Sequence, residues 1–239
     1  MALYRDEGIV LRTHKLGEAD RVVSVLTRRH GKVRAVAKGV RKTKSRFGAR
    51  LEPPTHLQLQ LYEGRGELHI VDQAETIDHF RSIREDLDRL TRAVSMLEAA
   101  DQLSLEGEGN PALYQMLLGA LRALAGHSGP LVVPAFYFKV LALEGFGSMI
   151  DACVECGRSE DLVAFDVDAG GVRCTEHRAG SPVSPAALAL LGDILGGRLG
   201  SALNAQPSPA TVEIDHLATR AMEHHLERRL RSVAILDHG

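Results

Sequence analysis

Four residues in the second half of the chain have the types and spacing to hold a metal ion. Cys153-Val154-Glu155-Cys156 forms one pair, and Cys174-Thr175-Glu176-His177 forms a second after 17 intervening residues. Thiolate and imidazole are the usual zinc donors, and pairs with two-residue spacers match structural zinc sites. All three cysteines of the chain are used. Four protein ligands close a tetrahedron and leave no position for an activated water. One structural zinc per chain is therefore expected at Cys153, Cys156, Cys174 and His177. A nucleotide-deaminase arrangement needs a His-x-Glu ahead of the cysteine pair. No histidine before Cys153 has a glutamate two positions later.

A second chemistry is carried by charge. Arg28 to Arg50 reads RRHGKVRAVAKGVRKTKSRFGAR and holds ten of the 29 Lys and Arg residues, with no Asp or Glu. Blocks of one sign repel themselves, and a basic block next to a strand suits a polyanion. The candidate contacts are Arg28, Arg29, Lys32, Arg34, Lys38, Arg41, Lys42, Lys44 and Arg46. Residues 1–80 hold 15 basic and 10 acidic side chains, a net of +5, against a whole-chain charge of −2. The remaining residues therefore carry −7, which confines the basic function to the first third. Aromatics make up 4% with no Trp, which argues against an extended base-stacking platform.

Other signals fail on inspection. Gly31-Lys32 resembles the end of a phosphate-binding loop, but Val33 stands where Ser or Thr is needed and Leu26 where Gly is needed. His224 and His225 are adjacent on a helix and point to different faces. Arg228, Arg229 and Arg231 read as a solvated last turn of that helix, complementing its dipole. No nucleophile–base or paired-carboxylate arrangement is recognisable, and the chain is expected not to be an enzyme.

Between residues 3 and 79 the periodicity is that of strands. Ile9 to Leu11 and Val22 to Leu26 are short apolar runs separated by a polar turn at 15–20. Val33, Ala35 and Ala37 alternate with Lys32, Arg34 and Lys38; Leu57, Leu59 and Leu61 alternate with Gln58 and Gln60. Four or five short strands in this length suit a small closed barrel of the oligonucleotide-binding (OB) type. From Ile83 the period becomes helical, through Leu87, Leu90, Val94 and Leu97. Asn110-Pro111 and Ser184-Pro185 are cap-and-first-turn pairs for further helices, and a last helix is expected over about Asp215 to Arg231. LVAFDVD and Val172-Arg173, joined through Ala169-Gly170-Gly171, predict a hairpin that brings the two Cys/His pairs together. The fold class is α+β and multidomain. It comprises an OB-fold barrel (1–79), a helical domain (80–150 and 181–239) and a zinc knuckle inserted in it (151–180). No apolar run reaches the roughly 18–20 residues of a membrane span. MALYRDEG lacks a signal-peptide core, so the expected location is the cytoplasm, at the nucleoid.

Three stretches together resemble the bacterial RecO family of DNA-repair recombination mediators. They are ADRVVSVLTRRHGKVRAVAKGVRKTKSRF (Ala19 to Phe47), FYFKVLALEGFGSMIDACVECG (Phe136 to Gly157) and HLERRLRSVAIL (His225 to Leu236). The resemblance covers essentially the whole chain and implies the same three-part architecture. It implies binding of single- and double-stranded DNA by the basic segment, and annealing of complementary strands. It further implies work with RecR to load RecA onto DNA coated by single-strand-binding protein, with RecF as a further partner. Many zinc-containing members have a fourth cysteine where this chain has His177; imidazole is a normal zinc ligand. The acidic, apolar-ended tail of single-strand-binding protein would find charge at Arg228, Arg229 and Arg231. The alternative reading is an RNA-binding barrel and zinc module acting in transcription or translation.

Overall fold

The computed structural model describes residues 2–41, 45, 47–64, 66–127 and 129–230. Between Ala125 and Gly126 the chain divides into two compact units.

In the first unit, β1 (Leu3–Leu16), β2 (Asp20–Thr27), β3 (Gly31–Ala37), β4 (His56–Tyr62) and β5 (His69–Asp78) close a barrel in the order β1-β2-β3-β5-β4. Closure depends on the length of β1. Its first half pairs antiparallel with β4 and its second half with β2, and a register shift at Leu11 lets it bend between them. β3 and β5 run parallel and meet at only two positions, Ala35–His69 and Val36–Ile70. This is the OB-type barrel. The alternation read from the sequence holds: Val33, Ala35 and Ala37 point inward with Leu57, Leu59 and Leu61. Phe47 joins the same core just before a 3₁₀ turn at Gly48–Leu51. Burying each of the valine, leucine and phenylalanine side chains contributes about 1.5–3 kcal/mol. β1 and β5 are longer than the apolar runs suggest. β1 extends through Lys15 and Leu16, where a turn was expected, because ladder hydrogen bonds do not require apolar side chains.

A short helix α1 (Arg81–Arg84) leads to α2 (Leu87–Leu103) and α3 (Pro111–Gly126). Arg84 in α1 donates to the Glu52 and Pro54 carbonyls and to the Thr55 hydroxyl, clasping the approach to β4. The buried stripe of α2 is Ala93, Met96, Leu97 and Ala100. The expected stripe is corrected here, since Leu87 is 80% and Val94 39% exposed. Small alanines form the packing face because they let the helix sit close to β1 and β2, whose Ile9 and Leu26 point outward yet are buried. Asp101 near the end of α2 accepts Arg12 Nε at 2.6 Å, and its main-chain carbonyl accepts Lys32 Nζ at 2.6 Å. Beyond α2 the chain turns back along β3. Lys32 N–H donates to the Leu105 carbonyl at 3.1 Å, and Gly107 N–H donates to the Lys32 carbonyl at 3.3 Å. Gly31 (φ +66°) faces Glu108, and Gly109 faces Arg29, so closely that a β-carbon at either would overlap the opposing backbone. Asn110 caps α3 as expected, accepting from Leu113 N–H at 3.0 Å.

In the second unit, α4 (Val132–Leu143) is buried on nearly every face, as a helix without a polar stripe must be. The hairpin β6 (Leu162–Asp166) and β7 (Gly171–Cys174) forms where expected, and β8 (Ser181–Pro182) adds to β6. Then follow α5 (Pro185–Leu195), α6 (Leu199–Leu203) and α7 (Pro209–His225), with α7 packed on α4 and α5. Ser184 caps α5. The last helix is displaced from its expected span. It starts at Pro209 under a Ser208–Thr211 capping box and stops at His225, and Glu227 adopts φ +51°. Arg228 and Arg229 therefore follow the helix rather than forming its last turn, and Arg231 lies outside the described residues.

One buried polar chain ties α3 to the barrel. His56 Nε2 lies 2.7 Å from the Tyr114 hydroxyl, which donates to Glu7 Oε2 at 3.4 Å. His56 is 2% exposed, and among the described residues its Nδ1 has no partner. Burial holds the His56 pKa below its ordinary 6.5, with Glu7 partly opposing the shift. A folded-state pKa below the unfolded one stabilises the fold above the unfolded pKa and loses that stability as pH falls. Stability should therefore decline below pH 6.5, with a slope from this group of at most about 1.4 kcal/mol per pH unit. Urea unfolding across pH 5 to 7 (about the His range) should show this slope in the native chain and a flatter one in His56→Gln.

Candidate metal centre and nucleic-acid interface

The metal-type residues lie in the second unit on two turns. Cys153 opens a tight turn in which Gly157 N–H donates to the Cys153 carbonyl at 2.8 Å and Cys153 N–H to the Arg158 carbonyl at 2.7 Å. Gly157 has φ +74°, a conformation glycine adopts without a side-chain penalty. Cys174 ends β7, and a 3₁₀ turn at Thr175–His177 carries the imidazole back beside it. The four donor atoms of Cys153, Cys156, Cys174 and His177 lie within 4.8 Å of one another. Cys156 Sγ is 3.8 Å from Cys174 Sγ, and Cys174 Sγ is 3.4 Å from His177 Nδ1. No disulfide joins the cysteines. Cys153 and Cys174 are buried, His177 is half-buried and Cys156 faces solvent. Ion pairs brace the two turns: Arg158–Glu176 at 2.9 Å and Arg173–Glu155 at 2.9 Å, with Arg173 also on Asp166 at 2.7 Å. Those hydrogen bonds from Arg173 and from the Asp168 and Ala169 amides outweigh burial and lower the Asp166 pKa. The cluster could bind a metal ion.

The basic segment is divided between two ends of the barrel. Arg28 and Arg29 are on the β2–β3 turn; Lys38 and Arg41 leave the far end of β3, roughly 20 Å away for a strand of this length. Arg28 and the cations within β3 are accompanied by carboxylates. Arg28 is 3.7 Å from Glu7, Arg34 is 3.5 Å from Glu106 and 3.7 Å from Glu67, and Lys32 Nζ is 3.5 Å from Asp101. Lys32 thus secures α2, and only 13% of its side chain is exposed. Arg29 is exposed, and its main-chain N–H donates to buried Asp6. The second group is different. Lys38 is exposed, and Arg41 donates to the Glu18 carbonyl at 2.9 Å and the Gly17 carbonyl at 3.4 Å. Main-chain carbonyls fix the guanidinium without neutralising it. Gly39 N–H on Asp20 (2.7 Å) and buried Phe47 hold the flanks of this loop. Lys42, Lys44 and Arg46 lie outside the described residues. The acidic partners from Glu67, Asp101 and Glu106 are distant in sequence, and no local signal points to them.

At the end of α7, Arg228 and Arg229 border an open groove with Asp168, Glu223 and Glu227. His224 reaches Asp168 at 3.3 Å, while His225 stacks on Phe146 with ring centres 4.2 Å apart. The two histidines do face different ways.

Two family models cover nearly all of this chain. Recombination protein O N terminal matches residues 1–80 and Recombination protein O C terminal matches residues 84–234. The chain belongs to the RecO family. Its relatives include the DNA repair protein RecO of Frankia casuarinae, 46% identical over 245 residues that span 99% of both chains. The protein of the same name from Streptomyces coelicolor is 45% identical over 99% of this chain and all of its own. That from Thermobifida fusca is 44% identical over 99% of each. RecO membership places the barrel and the Cys/His cluster in a DNA-repair protein. Among the described residues, no helix is long and apolar enough to cross a membrane.

Proposed function

We propose that this RecO chain is a non-enzymatic recombination mediator. It binds single- and double-stranded DNA through the far end of β3, anneals complementary strands, and with RecR loads RecA onto DNA coated by single-strand-binding protein. The observation that carries the reading is the contrast within the barrel: among the described residues Lys38 and Arg41 have no carboxylate ion pair, whereas Lys32 and Arg34 do. Lys42, Lys44 and Arg46 extend that charge in sequence. Strands of like charge repel, and cations that take the phosphates leave bases free to pair. RecR, RecA, RecF and single-strand-binding protein enter through RecO family membership. For the coated strand, Arg228 and Arg229 are the proposed charge for the acidic tail.

The Cys/His cluster is proposed to hold a structural zinc. A tetrahedral ion with Zn–S near 2.3 Å and Zn–N near 2.1 Å separates two sulfurs by about 3.8 Å and sulfur from nitrogen by about 3.6 Å. The observed 3.8 and 3.4 Å fit that donor set. Bound there, the ion supplies a cross-link between two turns and no chemistry on a substrate.

Metal analysis of protein prepared without chelators should find about one zinc per chain. Cys153→Ser should abolish retention and lower the unfolding temperature, and His177→Ala should weaken retention; a metal-free native protein would refute the assignment. For DNA, neutralising about five phosphates on a single strand gives a log affinity against log salt slope near −3.5. Joint replacement of Lys38, Arg41 and Lys42 by Glu should weaken binding and flatten the slope, and the native chain should prefer DNA to RNA of one sequence. A slope near zero in the native chain would end the electrostatic reading. Charge reversal at Arg228 and Arg229 should spare annealing of bare strands and impair annealing of coated ones. Equal loss on both substrates removes them as the tail site.

A further inference from the structure

We propose that Glu106 and Glu67 are internal competitors for phosphate at Arg34, and thereby set the selectivity of the barrel for a strand already anchored at Lys38 and Arg41. The inference rests on the DNA-binding reading above and names the residues that tune it. One guanidinium nitrogen of Arg34 faces both carboxylates, at 3.5 Å from Glu106 and 3.7 Å from Glu67. A charge-assisted hydrogen bond measures about 2.7–2.9 Å, so these contacts are coulombic and can be exchanged without breaking a short bond. All three side chains are accessible, with 34% of Arg34, 43% of Glu106 and 85% of Glu67 exposed. An incoming phosphate can therefore reach the guanidinium.

Glu106 is brought to this position by the backbone. Its segment bridges to Gly31 and Lys32, and the two glycine contacts described above allow that approach. The second carboxylate comes from a different segment, the connection between β4 and β5. Two unrelated pieces of chain thus place negative charge on the one half-exposed arginine in the middle of β3. Arg41, by contrast, is fixed by carbonyl oxygens.

Carboxylates on the same molecule act at high effective concentration, so an isolated phosphate competes poorly for Arg34. A strand held at Lys38 and Arg41 also presents its next phosphate at high effective concentration. Lys38 is four residues from Arg34, roughly 13 Å along a strand, within reach of neighbouring phosphates of one bound oligonucleotide. The glutamates therefore reject weak anions while admitting a polyanion.

The test is binding of labelled oligothymidylate across a salt series by the native chain, Glu67→Gln, Glu106→Gln, the double variant, and each of these with Arg34→Ala. Glu108→Gln supplies the same charge change from a neighbouring exposed site. The double variant should bind about threefold more tightly at low salt. Its slope should steepen by about 0.7, the share of one added phosphate contact on a single strand. Both gains should vanish with Arg34→Ala. Should Glu106→Gln disturb folding, Glu67→Gln reads the same effect from an exposed turn. A gain no larger than that of Glu108→Gln, or one that survives Arg34→Ala, overturns the inference and leaves DNA binding standing. A native chain that binds no strand at low salt overturns the DNA-binding reading and this inference with it.

Discussion

The buried carboxylate of Asp101 is the constraint on which the arrangement of the first unit depends. It is 9% exposed and is faced by Arg12 from β1 and Lys32 from β3. Such groups are poor sources of net stability, since the cost of desolvation offsets most of the attraction. Their effect is on register. A one-turn slip of α2 along the barrel would leave the Asp101 carboxylate and the mostly buried Lys32 ammonium unpaired, which is strongly destabilising. With α2 held, the chain after Leu103 has one short path back along β3, and that path brings Glu106 to Arg34. A structural ion pair therefore bears on the electrostatics around Arg34.

This dependence explains which features could be read from residue order. Alternation in β3 and β4, the Asn110-Pro111 and Ser184-Pro185 caps, and the paired Cys/His spacing are local patterns, and each forms where it was expected. Large apolar residues draw the expected stripe of α2 through Leu87 and Val94, whereas alanine and methionine make the contact. The start of α7 carries no plain capping-box signal, because Ser208 and Thr211 form its cap without the acidic residue that usually marks one. Hardest of all were the partners of the basic residues. Lys32 and Asp101 are 69 positions apart, and no window of sequence reveals that Lys32 is already paired.

The second unit solves a different problem. The knuckle has few large apolar residues between Asp151 and Asp161, too few to define two turns by packing. Its order comes from directional contacts: amide hydrogen bonds around Cys153, and arginines that reach across from one turn to the other. Its hairpin adds a small apolar anchor of Ala164, Phe165 and Val172, with Phe165 edge-on to Phe138 of α4, ring centres 6.3 Å apart. A site built this way brings four soft and borderline donors together while spending little chain on a core.

The net charge of −2 hides how positive potential is distributed along β3. Counting ten basic residues in one stretch suggests a uniform cationic patch, but cations paired with carboxylates contribute little field beyond a Debye length, about 8–10 Å. Among the described residues, the cations of β3 and its flanking turns without a carboxylate ion pair are Arg29 at the β2–β3 turn and Lys38 and Arg41 at the loop end. Uneven pairing of this kind can orient an approaching polyanion. In the proposed DNA complex, phosphates would meet Lys38 and Arg41 first and reach Arg34 once the strand is held. Under that proposal, contacts made in this order stay weak one by one, which would let a captured strand be released when its bases find a complement.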